Sequence, residues 1–230
     1  ILKDTSYFRV LDLTSTTTKT SYFHNSITGY HGAKLSSYNE ILEFYINKTH
    51  MNTLNMLNTK YIIFNNEEGS SQLYVNDSIN GSAWFIDSII NLDSKDKEIL
   101  ALDTLNTKNI AISSEANSKK YLVDNKSYVK LLEFEPNKLK YECNSKEDGF
   151  IVFSEIFYPH GWHLYIDGEK TQYFNVNYLL RGIEVKSGNH IIEFVFDPEI
   201  VKKGSMITLS ASILLFIIII GMAHKFFIKH

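Results

Sequence analysis

The pattern of hydrophobic and polar residues divides the chain into a mixed first half and a β-rich second half. Before residue 113, short apolar runs typical of strands alternate with apolar residues spaced three or four apart, which is typical of helices. The predicted helices are 38–47, 52–57 and 94–105, and the predicted strands are 7–13, 61–64, 72–75, 84–90 and 110–112. This alternation predicts a mixed α+β or α/β unit.

Polar residues mark the predicted helix starts. Ser37 followed by Glu40 predicts a capping box at the first helix. Asn52 and Ser94 are the predicted N-caps of the other two helices, because their short polar side chains accept hydrogen bonds from free backbone amides.

Only strand signals occur between residues 128 and 196. Alternating or apolar runs at sandwich spacing predict about six strands, at 128–135, 138–143, 150–157, 162–166, 183–185 and 191–196. The pair Asp167-Gly168 predicts a tight hairpin turn with positive φ. We therefore predict a small antiparallel β-sandwich, joined to the first unit by a polar linker at 113–120.

The end of the chain carries the strongest physical signal. Residues 204–224 contain no formally charged side chain, and 21 helical residues extend about 31 Å, close to the hydrocarbon thickness of a bilayer. We predict a transmembrane helix here; the alternative is a buried core helix. The predicted fold class is α+β. Its domains are a mixed α/β domain at 1–118, a β-sandwich at 119–200, and a transmembrane helix with a short basic tail at 201–230.

Orientation in the membrane stays open on lysine counts alone. Lys202 and Lys203 precede the span, and Lys225 and Lys229 follow it. The chain begins with Ile1 and shows no secretory signal pattern. Two alternatives follow: a fragment of a larger membrane protein, whose body could lie outside, or a tail-anchored protein with its body in the cytosol.

Charge and cysteine content narrow the classes. Residues up to 201 carry 19 basic against 26 acidic side chains, which disfavours nucleic acid as a partner. Only Arg9 and Arg181 are arginines. Cys143 is the single cysteine, so an intrachain disulfide and a cysteine-rich zinc site are excluded.

No motif for nucleotide binding, a nucleophile elbow, a zinc protease, a dithiol pair or an EF-hand occurs in the sequence. We assign no catalytic residue and no metal ligand. Glu133 and Glu135 lie on one face of a predicted strand, so a glycosidase pair is a weaker alternative to ordinary exposed carboxylates.

A loop near the start carries the densest set of groups suited to sugars or phosphates. It contains His24, Asn25, Tyr30, His31 and Lys34, whose imidazole, amide, phenol and ammonium groups can bind hydroxyls or anions. Two interpretations remain: a loop folded on its own side chains, or one that contacts a ligand or lipid headgroups.

A second candidate group surrounds Trp162. Tyr158 and Trp162 could stack on a sugar, and Arg181 is included as a third ligand-binding candidate. The alternative for Trp162 is a place in the sandwich core, where large aromatic residues usually lie.

An ordered set of motifs across the second half resembles the C-terminal end of bacterial YfhO-family membrane proteins. The motifs are Asp148-Gly149, 153–162 (FSEIFYPHGW), 165–170 (YIDGEK), 177–181 (NYLLR) and 188–190 (GNH). Upstream, 7–13, 22–35, 54–63 and 83–85 resemble Bacteroidetes-type members. One departure is His160, an extra residue between Pro159 and Gly161.

The resemblance implies a polytopic inner-membrane protein similar to GT-C glycosyltransferases, which take sugars from polyprenyl-phosphate carriers outside the cytoplasm. It places the catalytic acid in an early loop outside this chain. The chain would then be a C-terminal extracytoplasmic region plus the last span, with a cytoplasmic tail and no cofactor of its own. Its partners would be the lipid bilayer, the transmembrane bundle of its parent chain, and an envelope glycan or lipid-linked sugar.

Three functional hypotheses follow. The first is an accessory region that supports sugar transfer to cell-envelope polymers. The second is a membrane-tethered module that binds glycan or protein without catalysis. The third, a hydrolase, depends on the Glu133 and Glu135 pair.

Overall fold

The computed structural model describes residues 1, 3–14, 19–29 and 32–228 of the chain. Strands and helices mix before residue 121, strands alone occupy 128–196, and one long helix follows. The predicted α+β class is therefore confirmed.

The first part of the chain builds two small sheets with short helices around them. Its elements are β1 (Arg9–Asp12), α1 (Lys19–Phe23), α2 (Ser36–Phe44), a 3-10 turn (Ile46–Lys48), α3 (Met51–Met56), β2 (Thr59–Asn65), β3 (Ser71–Val75), β4 (Ala83–Ile86), β5 (Ser88–Asn91), α4 (Lys95–Ala101), β6 (Ile110–Ser113) and β7 (Lys119–Lys120). One sheet has the order β1-β2-β3 and the other β6-β5-β7. The pairs β1–β2 and β5–β6 are parallel, as expected of a mixed unit.

The second part forms an antiparallel sandwich. Its strands are β8 (Tyr128–Glu135), β9 (Lys138–Ser145), β10 (Gly149–Ile156), β11 (Trp162–Ile166), β12 (Glu169–Thr171), β13 (Phe174–Val176), β14 (Leu180–Val185) and β15 (Gly188–Phe196). A five-stranded sheet, β12-β11-β15-β9-β8, packs on a four-stranded sheet, β13-β14-β10-β4. Asp167 and Gly168 have φ values of 53° and 83°, as the predicted two-residue turn requires.

Strand β10 lies in the middle layer of the fold. Its side chains alternate between two cores because successive residues of a strand point to opposite faces. Phe150 and Val152 join the core of the first unit, whereas Ile151 and Phe153 join the core between the two sandwich sheets. The four-stranded sheet is therefore covered on both faces.

The predicted strand at 84–90 is two strands in different sheets. β4 pairs with β10, and β5 pairs with β6. Between them, the Asp87 amide donates to the Asn109 carbonyl (2.7 Å), and the Asp87 carbonyl accepts from the Tyr121 amide (2.8 Å). These bonds turn the chain from one sheet into the other.

The predicted capping box is wrong. Helix α2 begins at Ser36 with Leu35 at the N-cap, so Ser37 and Glu40 lie inside the helix. The Glu40 carboxylate instead accepts a hydrogen bond from the Tyr178 hydroxyl. Asn52 also lies inside its helix, after an N-cap at His50.

The N-cap of α4 is as predicted. The Ser94 hydroxyl accepts a hydrogen bond from the Lys97 amide (3.3 Å). The carboxylate of Glu98 in the same helix is fully buried and accepts hydrogen bonds from the Ser114 and Tyr178 amides (2.6 and 3.1 Å).

The predicted linker at 113–120 is packed into the fold. Ser113 ends β6, Ala116 is buried, and Lys119 pairs with Ile89 of β5. The predicted domain boundary at residue 118 stays a prediction. Hydrogen bonds cross it, because β4 precedes the boundary and pairs with β10.

The last helix, α5 (Glu199–Ile228), contains the predicted span. Its segment Glu199–Met222 has a mean hydropathy of 2.4, and none of its most apolar window is buried in the fold. A helix in the protein core would be buried, so a membrane span is the better interpretation. The hydroxyls of Thr208, Ser210 and Ser212 donate to carbonyls four residues earlier, which satisfies them without water.

Candidate functional site

A cleft opens beside the end of the sandwich from which helix α5 continues. The first residue of β11, Trp162, pairs with the last residue of β15, Phe196, and the helix begins three residues later. The cleft has a volume of about 400 Å³. We call it the aromatic cleft, and its lining includes Phe157, Trp162, Tyr173, Phe174, Glu115 and Lys170.

The rings of the aromatic cleft are held by contacts within the fold. The Tyr173 hydroxyl donates to the Tyr158 carbonyl (3.1 Å), and its ring lies 5.3 Å from that of Phe157. Trp162 is half-buried and packs against the sandwich core, so the two sequence interpretations of this residue both hold in part. A rigid aromatic wall with a few polar groups is the usual composition of a ligand site.

Arg181 lies behind the Trp162 ring. Its guanidinium carbon is 4.3 Å from the centroid of Trp162 and 5.0 Å from that of Phe194. Its Nε donates to the Ile156 carbonyl (3.0 Å), and the residue is 2% exposed. Burial lowers the pKa of this guanidinium. Within the described part of the chain, its Nη1 atom has no hydrogen-bond partner. Arg181 therefore supports the cleft from inside rather than lining it.

The other arginine belongs to the same buried region. Arg9 and Glu155 form an ion pair with 3.0 Å between Nη2 and Oε1. The Arg9 Nη1 atom also donates to the carbonyls of Ser154 (2.5 Å) and Leu57 (3.0 Å). The charge of Glu155 acts on Arg181 as well. We call Arg9, Glu155 and Arg181 the arginine cluster.

Phenols surround the arginine cluster in neutral form. The Tyr7 hydroxyl donates to Glu155 Oε1 (2.8 Å), and burial raises the pKa of Tyr7. Burial also raises the pKa of Tyr141 well above its ordinary value. For Arg9, burial opposes the charged form, but the Glu155 carboxylate outweighs it and raises the pKa. Fixed charges and un-ionised phenols suit binding and positioning rather than proton transfer near neutral pH.

Sequence reasoning identified Arg181 but missed Arg9, Glu155 and Tyr141. The available signal was the scarcity of arginine, since only two of 23 basic residues are arginines. Arginine is preferred over lysine where a buried cation must hold several acceptors. The structure brings both into one cluster.

The early loop does not join the aromatic cleft. His24 and Asn25 line a separate cavity of about 360 Å³ with Asp4 and Phe8. The Asn25 carbonyl accepts the Val10 amide (2.9 Å), which ties the loop to β1. Lys34 lines another cavity, of about 450 Å³. Tyr30 and His31 lie outside the described residues.

The motif at 177–181 has a structural role. Asn177 and Tyr178 adopt left-handed backbone conformations, with φ values of 50° and 67°. The Asn177 side chain accepts the Ile112 amide (3.0 Å), and its own amide donates to the Ile112 carbonyl (2.8 Å). This turn therefore fastens the sandwich to β6 and carries the chain into Arg181.

Neither a metal site nor the glycosidase pair gains support. Among the described residues, no group of three or more His, Cys, Asp or Glu side chains is placed to hold a metal ion. Glu133 and Glu135 are exposed on edge strand β8, and Glu133 lies 3.6 Å from the Lys138 ammonium. Such ion-paired surface carboxylates are the ordinary case.

Comparison with known proteins matches the resemblance in the motifs. The family model described as "Bacterial membrane protein YfhO" matches residues 1–208. No curated protein and no solved structure matches the chain. The family match covers the mixed unit, the sandwich and the start of the apolar helix. The chain therefore belongs to the YfhO family of bacterial membrane proteins.

Proposed function

We propose that the chain is the C-terminal extracytoplasmic accessory region of a polytopic YfhO-family protein. Its parent transfers sugars from polyprenyl-phosphate donors to cell-envelope polymers, with the catalytic residues outside this chain. The region holds the sugar of a lipid-linked donor or of an envelope glycan in the aromatic cleft. The folded region faces the outside of the cytoplasmic membrane, and the basic tail faces the cytoplasm.

The aromatic cleft is the observation that carries this proposal. Phe157, Trp162, Tyr173 and Phe174 offer flat apolar faces for the C–H side of a sugar ring. Glu115 and Lys170 offer polar groups for its hydroxyls. The position beside the start of α5 suits a sugar that arrives on a membrane-bound carrier.

A substitution in the full-length parent tests the role of the cleft. Phe174→Leu removes an aromatic face that is partly buried while it keeps an apolar side chain in the same core. Transfer of radiolabelled sugar into envelope polymers by membranes should fall at least several-fold. The matched control is Tyr74→Leu on the exposed edge strand β3, which should leave transfer unchanged. Equal transfer by both variants would contradict the proposal.

Deletion of this region separates the proposal from its alternative. If the parent without residues 1–196 transferred sugar normally, and the intact chain bound glycans on an array, the non-catalytic binding module would be favoured. Loss of transfer or a changed acceptor would support the accessory role.

Sidedness has its own measurement. Cys143 is 2% exposed and burial raises the pKa of its thiol to about 11, so it reacts poorly with maleimides. A single cysteine at exposed Glu147 should therefore be labelled by a membrane-impermeant maleimide in intact spheroplasts. Labelling only in inverted vesicles would place the folded region in the cytoplasm.

A further inference from the structure

The segment between β10 and β11, residues 157–161, is fixed to the start of the membrane helix. We call it the interfacial loop. The Gly161 carbonyl accepts the Asp197 amide (2.7 Å). A Cβ atom at Gly161 would lie 2.8 Å from atoms of both Phe196 and Pro198, so the loop backbone packs directly on these residues. The position of the loop relative to α5 is therefore set by close contact.

This contact places the loop close to the apolar part of the helix. Six residues separate Pro198 from Gly204, where the uncharged stretch begins, and they extend about 9 Å along a helix axis. The polar layer on each side of a bilayer is about 5–8 Å thick. A chain that spans the membrane with this stretch holds the loop at the outer edge of the headgroup layer.

The side chains of the loop suit that depth. Pro159 and His160 are exposed, and Tyr158 is partly exposed with its ring 5.5 Å from that of His160. Trp162 follows directly. Tyrosine and tryptophan concentrate at membrane interfaces, because one end of each side chain is apolar and the other forms hydrogen bonds.

The opposite end of the sandwich has a different surface. The turn after β9 contains Lys146, Glu147 and Asp148, which are all exposed. Asp148 pairs with Lys186 of a neighbouring turn (2.8 Å). The eight residue steps of β15 separate the two ends by about 26 Å. One end is thus charged and remote, and the other is aromatic and next to the span.

We propose that the interfacial loop rests on the headgroup layer of the lipid bilayer and anchors the folded region to the membrane surface. Tyr158 and His160 are the contact residues, and lipid is the partner. The proposal requires no sugar in the aromatic cleft, so it stands or fails separately from the proposed function.

Spin labelling of the full chain tests this contact. Single cysteines at His160 and, as a matched control, at Glu147 carry a nitroxide in separate samples, and buried Cys143 serves as the unlabelled background. Each protein is reconstituted in vesicles of phosphatidylethanolamine and phosphatidylglycerol. Power saturation then compares accessibility to oxygen, which concentrates in lipid, with accessibility to a water-soluble nickel chelate.

The ratio of oxygen to nickel accessibility at residue 160 should be several-fold higher than at residue 147. Equal ratios would overturn the proposal, because the loop would lie in water. Low accessibility to both reagents at residue 160 would also overturn it and would indicate contact with a second protein chain instead.

A measurement without a label guards against disturbance by the variant. Trp162 and buried Trp84 are the only tryptophans of the chain. Phospholipids brominated near the headgroup should quench part of the emission of the unmodified protein, and Trp162→Phe should remove the quenched part. Quenching that survives this substitution, or no quenching, would contradict the placement of the loop.

Discussion

The Nη2 atom of Arg9 lies 3.0 Å from the Oε1 atom of Glu155, although 146 residues separate them in the chain. Arg9 belongs to the first parallel strand, and Glu155 to the central strand of the sandwich. The pair therefore joins the two parts of the folded region. Arg181 lies on the strand that pairs with β10, so a single carboxylate serves two guanidinium groups.

Glu155→Gln should destabilise the protein by about 3 kcal/mol, because it keeps the shape of the side chain but leaves the Arg9 charge buried without its partner. The side chains of Arg9 and Glu155 are only 13% and 12% exposed. Denaturant unfolding in detergent measures the change. Glu133→Gln removes an exposed carboxylate and should cost less than about 1 kcal/mol. Similar losses in both variants would contradict a structural role for the arginine cluster.

Arg181→Lys should destabilise the fold by about 2 kcal/mol despite the conserved charge. A lysine ammonium cannot both lie flat on the Trp162 ring and donate from the Nε position to the Ile156 carbonyl. The fluorescence of Trp162 should change in the same variant. Lys186→Arg at an exposed turn is the matched control and should leave both properties unchanged. Wild-type stability of Arg181→Lys would refute the argument.

Gly161→Ala should cost about 2–4 kcal/mol, because φ is +111° and the new methyl group would overlap Phe196 and Pro198. Gly168→Ala is the matched control: φ is +83°, and no atom lies within 4 Å of the added Cβ. Its cost should be about 1 kcal/mol from backbone strain alone. Thermal unfolding of both variants measures the difference, and equal losses would show that the contact at Pro198 is not tight.

Asp167→Asn should change how stability depends on acid. The Ile191 amide (2.8 Å) and the His190 ring (2.6 Å) donate to Asp167, and these bonds hold its pKa below the ordinary value. The carboxylate therefore stabilises the fold above its unfolded pKa of about 3.9, and this stability is lost as pH falls through the lower folded value.

The variant keeps the turn, because Asn-Gly also adopts positive φ. The stability difference between wild type and Asp167→Asn should be largest above about pH 5 and should shrink toward pH 3. Urea midpoints across this range measure it. Glu147→Gln, which removes a charge from an exposed turn, is the control. A difference independent of pH would contradict the assigned cause.

Local patterns predicted the elements whose cause is local. Alternation located the strands after residue 128, the Asp167-Gly168 pair located a turn, Ser94 located a helix start, and an uncharged stretch located the span. Each of these depends on neighbours within a few residues of the chain.

Features with distant partners escaped the sequence. The capping box failed because Tyr178, 138 residues away, takes the Glu40 carboxylate. The run at 84–90 reads as one strand because only the pairing of β4 with β10 divides it. Of the candidate site residues, Trp162 and Arg181 come into contact, whereas His24 and Asn25 lie in a different cavity.

The position of β15 sets an order of events during synthesis. It is the middle strand of the five-stranded sheet and also the last strand before α5. β11 and β9 cannot pair through it until residue 196 has been made and released from the ribosome. The helix residues follow directly, so closure of the sandwich and entry of the helix into the membrane are consecutive steps of one process.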